Sequence, residues 1–431
     1  MEYAASSFAN LSKKALSKLK ICDNKILRKC LGLIKSTPTH IIHHMAAELP
    51  GEYRFQLATA KEISKLIAYN LPLADSLINQ PLTYSTSYTM IFTEFEPMFR
   101  EIEKLPSSTT NSKIKVDIDF FKNITKSKKE ANEEQIYQLF NKKLNDLKDR
   151  NIETIFTDGS VKEDSTKAAF YHNKSNTIRS FHTNKRMASM TAELIAFIKA
   201  IDFAITHQIN RLAILTDSKS GVMALTNEDS NNYLTIEIRN KIQNSNLEIV
   251  EFPFIPNHSG IHQNNIVDNA AKNADRNGEF IHLGWTIDDA CKEIERILTI
   301  KWQRHYSIIS NDKGKKYYQM FPKISKHPWF KFLNNKIEAN LIKQMNRTLT
   351  GHAFRNETLA KFNIIQSSNC ETCQVDETPE HIIFKCTKFN TTRNLFTKIQ
   401  EASSIQEFYK NNQKTFYYTI INFLKQIKAQ I

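Results

Sequence analysis

The chain has 431 residues, 41% hydrophobic and 24% charged, with only 9 glycines and 11 prolines. This composition excludes collagen-like, coiled-coil-only and wholly disordered chains and predicts two or three domains with sizeable cores. Lys and Arg outnumber Asp and Glu 59 to 45, a formal charge of +14, and the basic flanks (+6 over 1–150, −2 over 151–280, +10 over 281–431) point to a polyanionic partner, of which nucleic acid is the commonest. No apolar run reaches the roughly 18–20 residues of a membrane span. The opening MEYAASSFANLSKK lacks a secretory apolar segment, and six cysteines are too few for a disulfide scaffold. An intracellular, reducing compartment, nucleus or cytoplasm, is expected.

Residues 1–105 read as a helical region. Leu16, Leu19, Cys22, Ile26 and Cys30 recur at helical spacing, as do Ala58, Ile63, Leu66 and Ile67. Gly32 and Ser36-Thr37-Pro38 mark a break, because proline cannot continue a helix. His40, His43 and His44 read as a solvated helix face. Over 106–150 the polar stretches SSTTNSK and KSKKEANEE read as a linker followed by a solvated helix.

From 151 the pattern changes. Strands are predicted at 152–157, 168–172 and 178–183, then a helix at 189–207 carrying the stripe Leu194, Phe197, Ile198, Ile201, Ile205. A strand at 212–216, helices at 218–226 and 233–243, a strand at 247–252 and a helix at 264–274 complete the order βββαβααβα. That order specifies an α/β domain over 151–280, a mixed sheet flanked by helices.

Asp158 and Asp217 each follow a predicted strand directly, and strand ends of open α/β sheets are where sites form. Glu193 stands at the rim of the helix's apolar stripe, and Asp268 borders Val267, Ala270 and Ala271. One Asp after a strand is ordinarily a turn or cap residue. Four acids gathered in one cleft repel one another and call for divalent cations, with hard oxygen ligands suiting Mg²⁺ or Mn²⁺. Two such ions can activate a water and stabilise the leaving oxygen at phosphorus, which predicts phosphodiester hydrolysis.

IFTDGS at 155–160, TAELIAF at 191–197, LTDSKSGVMAL at 215–225 and FIPNHSGIHQNNIVDNAAKNAD at 254–275 resemble the four motif blocks of ribonuclease H. The last block is similar to that of non-LTR retrotransposons of the jockey and I-element type. The resemblance implies a ribonuclease H-like fold and metal-dependent endonucleolytic hydrolysis of the RNA strand of RNA/DNA hybrids. It further implies that Asp158 bridges two ions, Glu193 and Asp217 hold the ion on the leaving-group side, Asp268 holds the ion that carries the attacking water, and His258 assists proton transfer or product release. Hybrid choice is expected to rest on 2′-hydroxyl contacts and duplex shape. Gln263, Asn265, Asn257 and Phe254 depart from the family's usual Gly, Glu, Gly and Trp, and a residue with a Cβ at 263 predicts strain in the turn before the last helix.

Cys370, Cys373, His381 and Cys386 follow the spacing Cys-x2-Cys-x7-His-x4-Cys, which suits a closed, structural tetrahedral Zn²⁺ site, with a helix start at Thr378-Pro379. ETCQVDETPEHIIFKC at 371–386 resembles the Cys/His module at the carboxyl end of the same retrotransposon polyproteins. LRKCLGLIKSTPTHIIHHMAAELPGEYRF at 27–55 resembles the region that follows their reverse transcriptase. No Tyr-x-Asp-Asp occurs, so no polymerase activity is expected. In the basic helical tail, 281–431, lysines and arginines such as Lys301, Arg304 and Lys313 interleave with Trp302, Tyr306, Tyr317, Tyr318, Phe321 and Trp329. Such a pattern suits phosphate contact and base stacking, and equally the core of a small helical domain. Two other functions fit the same sequence: a catalytically silent nucleic-acid-binding protein that uses its basic flanks and zinc tail, and a DNA-cutting enzyme of the same fold.

Overall fold

A computed structural model describes residues 13–79, 87–109, 112–118, 133–256, 260–333 and 337–428. They form two compact units, one within 59–295 and the other within 1–58 and 296–431. These divisions differ from the boundaries at 105 and 280 that composition suggests, because 59–105 and 281–295 pack with the α/β region.

The α/β unit contains, in chain order, β1 (Ile114–Asp117), α1 (Glu133–Asp149), β2 (Glu153–Lys162), β3 (Ser165–His172), β4 (Thr177–His182), α2 (Ser189–Thr206), β5 (Arg211–Leu215), α3 (Lys219–Thr226), α4 (Tyr233–Gln243), β6 (Ile249–Pro253), α5 (His262–Lys272) and β7 (Glu279–Phe280). The strands form one mixed sheet in the order β1-β6-β5-β2-β3-β4-β7. β2, β3 and β4 run antiparallel as a meander, and the other pairings are parallel.

Side chains alternate across β2, so each face has its own core. Ile155 packs with Leu194, Phe197 and Ile201 of α2 and with Leu234 and Ile238 of α4. Phe156 packs on the other face with Phe140 and Leu147 of α1 and Val267 and Ala271 of α5. α2 is buried around most of its circumference, from Thr191 through Ala204, as its almost continuous apolar sequence requires.

Two expectations for 106–150 are corrected. β1 is a sheet strand, pairing Ile114 with Val250 and Val116 with Phe252; four residues with two apolar positions leave too little periodicity to be recognised. α1 is solvated on one side only, because Ile136, Phe140 and Leu147 are buried beneath its charged outer face. Further packing comes from both sides of the predicted domain. Ile102 and Trp285 form a parallel bridge, the Glu103 amide donates to the Trp285 carbonyl at 3.1 Å, and the Trp285 amide donates to the Glu101 carbonyl at 2.7 Å.

The other unit is helical, with an apolar core built from residues that include Leu31, Ile42, Met345, Phe408, Phe416 and Ile420. Here the expected solvated histidines are buried. His44 stacks on Tyr306 at 4.7 Å, accepts the Tyr317 hydroxyl at Nδ1 and donates from Nε2 to the Lys323 carbonyl. His40 donates to the Lys313 carbonyl, and His43 bonds Asn24. The same packing buries Trp302, Tyr306 and Tyr317, so these rings are core residues and not platforms for bases. Conversely, the Leu16–Cys30 stripe is not a buried face as a whole: Ile26, Cys22 and Cys30 are exposed. Among the described residues no helix is long and apolar enough to cross a membrane.

Candidate active site

β2 does not end at Asp158, as the sequence suggests, but continues to Lys162 against β3, with Asp158 opposite Ala169. Its parallel partner β5 stops sooner. The last pair is Phe156 with Leu215, so Asp158 and Asp217 each stand two residues beyond the same rung. Past Leu215 the chain turns into α3, where the Ser218 hydroxyl caps the helix by accepting the Gly221 amide at 3.2 Å. Asp217 lies in that short connection.

Glu193 reaches the same place from α2. Gly159 allows this, because a Cβ there would lie 2.6 Å from the Glu193 nitrogen and 2.7 Å from the Ala192 carbonyl carbon. Strand and helix therefore meet backbone to backbone, and the carboxylates of Asp158, Glu193 and Asp217 offer oxygens that all lie within 4.8 Å of one another.

Asp158 and Glu193 are 8% and 7% exposed. Burial, then the charges of Asp217 and Asp268, pushes Asp158 up to about 7, with the Gly159 amide and Lys272 opposing. Burial, then Asp158 and Asp217, holds Glu193 well above the usual carboxylate range. Glu193 Oε2 is buried with no hydrogen-bond partner among the described residues. Three crowded carboxylates with an orphaned buried oxygen have the donor chemistry of a Mg²⁺ or Mn²⁺ site, and the residues fit such ions.

Asp268 lies near enough to raise Asp158 but is not part of the trio. It accepts a 2.6 Å ion pair from Lys272 one turn along α5. His258 and Asn257 lie outside the described residues. Gln263 is in the first turn of α5 and is not among the residues with positive φ, so the strain expected there is absent. Sequence reasoning missed the role of Gly159; its only local signal was a glycine directly after the first Asp.

The second cluster is in the helical unit. Cys370, Cys373, His381 and Cys386 present ligand atoms within 4.8 Å of one another. Cys386 Sγ lies 3.7 Å from Cys370 Sγ and 3.9 Å from Cys373 Sγ. Ligands 2.3 Å from a tetrahedral centre stand about 3.8 Å apart, so the sulfurs are spaced for a shared ion. The Cys-x2-Cys turn is closed by the Gln374 amide donating to the Cys370 carbonyl at 2.9 Å, with Gln374 in the left-handed region at φ 56°. Thr378 accepts the His381 amide at 3.0 Å, capping the turn that carries His381. Burial pushes the Cys386 thiol up to about 12, whereas hydrogen bonds from Thr387 lower Cys373. His381 Nε2 is buried without a partner among the described residues, a ring nitrogen placed to ligate.

A family model described as RNase H matches residues 150–276, the segment from the start of β2 through α5. Residues 150–276 are thus a ribonuclease H domain, and the mixed, helix-flanked sheet is the ribonuclease H-like fold expected from the sequence. No curated protein matches the chain.

Proposed function

We propose that the α/β unit hydrolyses the RNA strand of RNA/DNA hybrids endonucleolytically, leaving 3′-hydroxyl and 5′-phosphate ends, with two divalent cations, Mg²⁺ or Mn²⁺, held by Asp158, Glu193, Asp217 and Asp268. The observation that carries this reading is the convergence of Asp158, Glu193 and Asp217 within 4.8 Å, with Glu193 Oε2 left unpaired, inside a segment that matches RNase H. Bound ions would supply Lewis-acid polarisation of the phosphate and a water of lowered pKa. The chain holds the carboxylates on three segments, β2, α2 and the connection that follows β5, so that little reorganisation is needed on binding. Lys272 holds Asp268 in an ion pair with which a bound cation would compete, and His258 is assigned to proton transfer or product release.

Cys370, Cys373, His381 and Cys386 are read as ligands of a structural Zn²⁺, since all four positions come from protein. That cluster, together with the basic flanks, supports a retroelement-derived protein acting on nucleic acid inside the cell.

The test uses the full chain with labelled RNA/DNA hybrid, duplex DNA and duplex RNA in Mg²⁺. Cutting of the hybrid alone, lost in Asp217→Asn with hybrid binding retained, is the expected result. Hybrid binding without cutting by wild type would leave a silent nucleic-acid-binding protein, and cutting of duplex DNA would move the substrate class.

A further inference from the structure

We infer that Asp289, which lies beyond the RNase H-matched segment, is a positioning residue for Glu193. This rests on the proposed role of Glu193 as a cation ligand.

α2 is preceded at its N-cap position by Ala188, which has no capping side chain, so its first amides need partners from elsewhere. Asp289 provides one. Its Oδ1 accepts the Ala188 amide at 2.7 Å, and its Oδ2 accepts the Thr191 hydroxyl at 2.6 Å and the Thr286 hydroxyl at 2.7 Å. The Asp289 amide in turn donates to the Thr286 hydroxyl at 3.0 Å. Thr286-x-x-Asp289 therefore has the spacing of a capping box for the helix it begins, Ile287–Asp312, while the same carboxylate caps α2 from outside. Asp289 is 2% exposed. A buried carboxylate this well supplied with donors, at the positive end of a helix, holds that end firmly.

Glu193 is five residues into α2, about 7.5 Å along its axis. Two contacts fix where it comes to rest: Gly159 against the backbone at 192–193, which sets how closely helix and strand approach, and Asp289 at 188–191, which sets the helix along its axis. The strap that carries Asp289 is itself tied down, through Trp285 to the 101–103 segment and through the Tyr233 hydroxyl, which donates to the Gly284 carbonyl at 3.4 Å. A fragment cut at the end of the matched segment, residue 276, loses this clamp and keeps all four acids.

The experiment is a double-mutant cycle on the full zinc-loaded chain, titrating Mn²⁺ calorimetrically in Mg²⁺-free buffer without nucleic acid. Glu193→Gln weakens Mn²⁺ binding directly. Asp289→Ala is expected to weaken it about 10-fold, the scale of outer partners that orient ligands, and to weaken it no further when Glu193 is already Gln. Thr191→Val, a gentler removal of one clamp bond, is expected to shift affinity the same way without loss of circular dichroism, and Thr191→Ser to restore it; this pair carries the test if Asp289→Ala does not fold. Equal losses in both backgrounds, or unchanged affinity in Asp289→Ala and Thr191→Val, overturn the inference. Failure of the wild type to bind Mn²⁺ or cut hybrid overturns the nuclease reading itself, a separate result.

Discussion

Gly159 and Glu193 meet so closely that a single methyl on the glycine would stand 2.6 Å from the glutamate's backbone nitrogen. The contact is backbone against backbone, so no flexible side chain can yield. Gly159→Ala is expected to force β2 and α2 apart, costing about 1–3 kcal/mol and weakening Mn²⁺ binding. Urea unfolding and calorimetric titration of the same protein check both; an unchanged midpoint would show that the interface can slide.

Asp217 and Asp158 each stand two residues beyond the last rung of the parallel β2–β5 pair and form a cluster no wider than 4.8 Å with Glu193. Asp217→Asn and Asp158→Asn are each expected to lower hybrid cleavage by at least about 100-fold, comparable to removing a preorganised stabilising group, while hybrid affinity changes little. Single-turnover cleavage set beside a gel-shift titration separates the two effects.

The acidic cluster also sets a pH dependence. Asp158 titrates near 3.8 when unfolded and at about 7 when folded, so between those values the folded state binds more protons. Stability is then full at the acidic end and falls as pH rises from about 4 to about 7, by at most roughly 4 kcal/mol at 1.36 kcal/mol per unit. Glu193 acts with the same sign. Thermal unfolding in Mg²⁺-free buffer, without a chelator that would also strip zinc, is expected to show Asp158→Asn more stable than wild type at pH 8 and equal to it near pH 4. Mg²⁺ at 100 times its Kd is expected to return about 2.7 kcal/mol to the wild type at pH 8.

His43 has the opposite sign. Burial lowers its pKa from 6.5 to about 4, so the folded state keeps it neutral. Its contribution is complete above 6.5 and is lost as pH falls towards 4, by at most about 3 kcal/mol. His43→Gln is expected to reduce the acid sensitivity of the helical unit between pH 6.5 and 4.5, read by the fluorescence of its buried Trp302 during urea unfolding.

The Cys/His cluster predicts about one Zn²⁺ per chain by elemental analysis. Cys386→Ser and His381→Ala are expected to lose the metal and to destabilise the helical unit, whose core includes Cys370 and Cys386. Cys22→Ser and Cys30→Ser, at exposed free thiols, are expected to retain it. Loss of zinc in all four variants would point to unfolding and not to ligation.

From β2 through α5 the elements were legible in the sequence because each carries its own signal: a short apolar run in β5, an apolar stripe in α2, acids and glycine at the turns. The three converging acids and the four Cys/His residues were legible for a related reason, since ligand chemistry restricts residue type and spacing within short segments. β1, the buried side of α1 and the packed histidines were not. Two apolar residues make no periodicity, and a histidine's environment is set by whichever rings close over it, here Trp302 and Tyr306 from more than 250 positions away.

The sequence by itself determined the kind of domain, the acids and the Cys/His set, because these depend on side-chain chemistry and on patterns a few residues long. Only the tertiary structure decided that β2 runs past Asp158, that Gly159 admits Glu193, and that a carboxylate at 289 caps a helix beginning at 189. Those relationships join segments distant along the chain, and long-range packing leaves no mark in local periodicity.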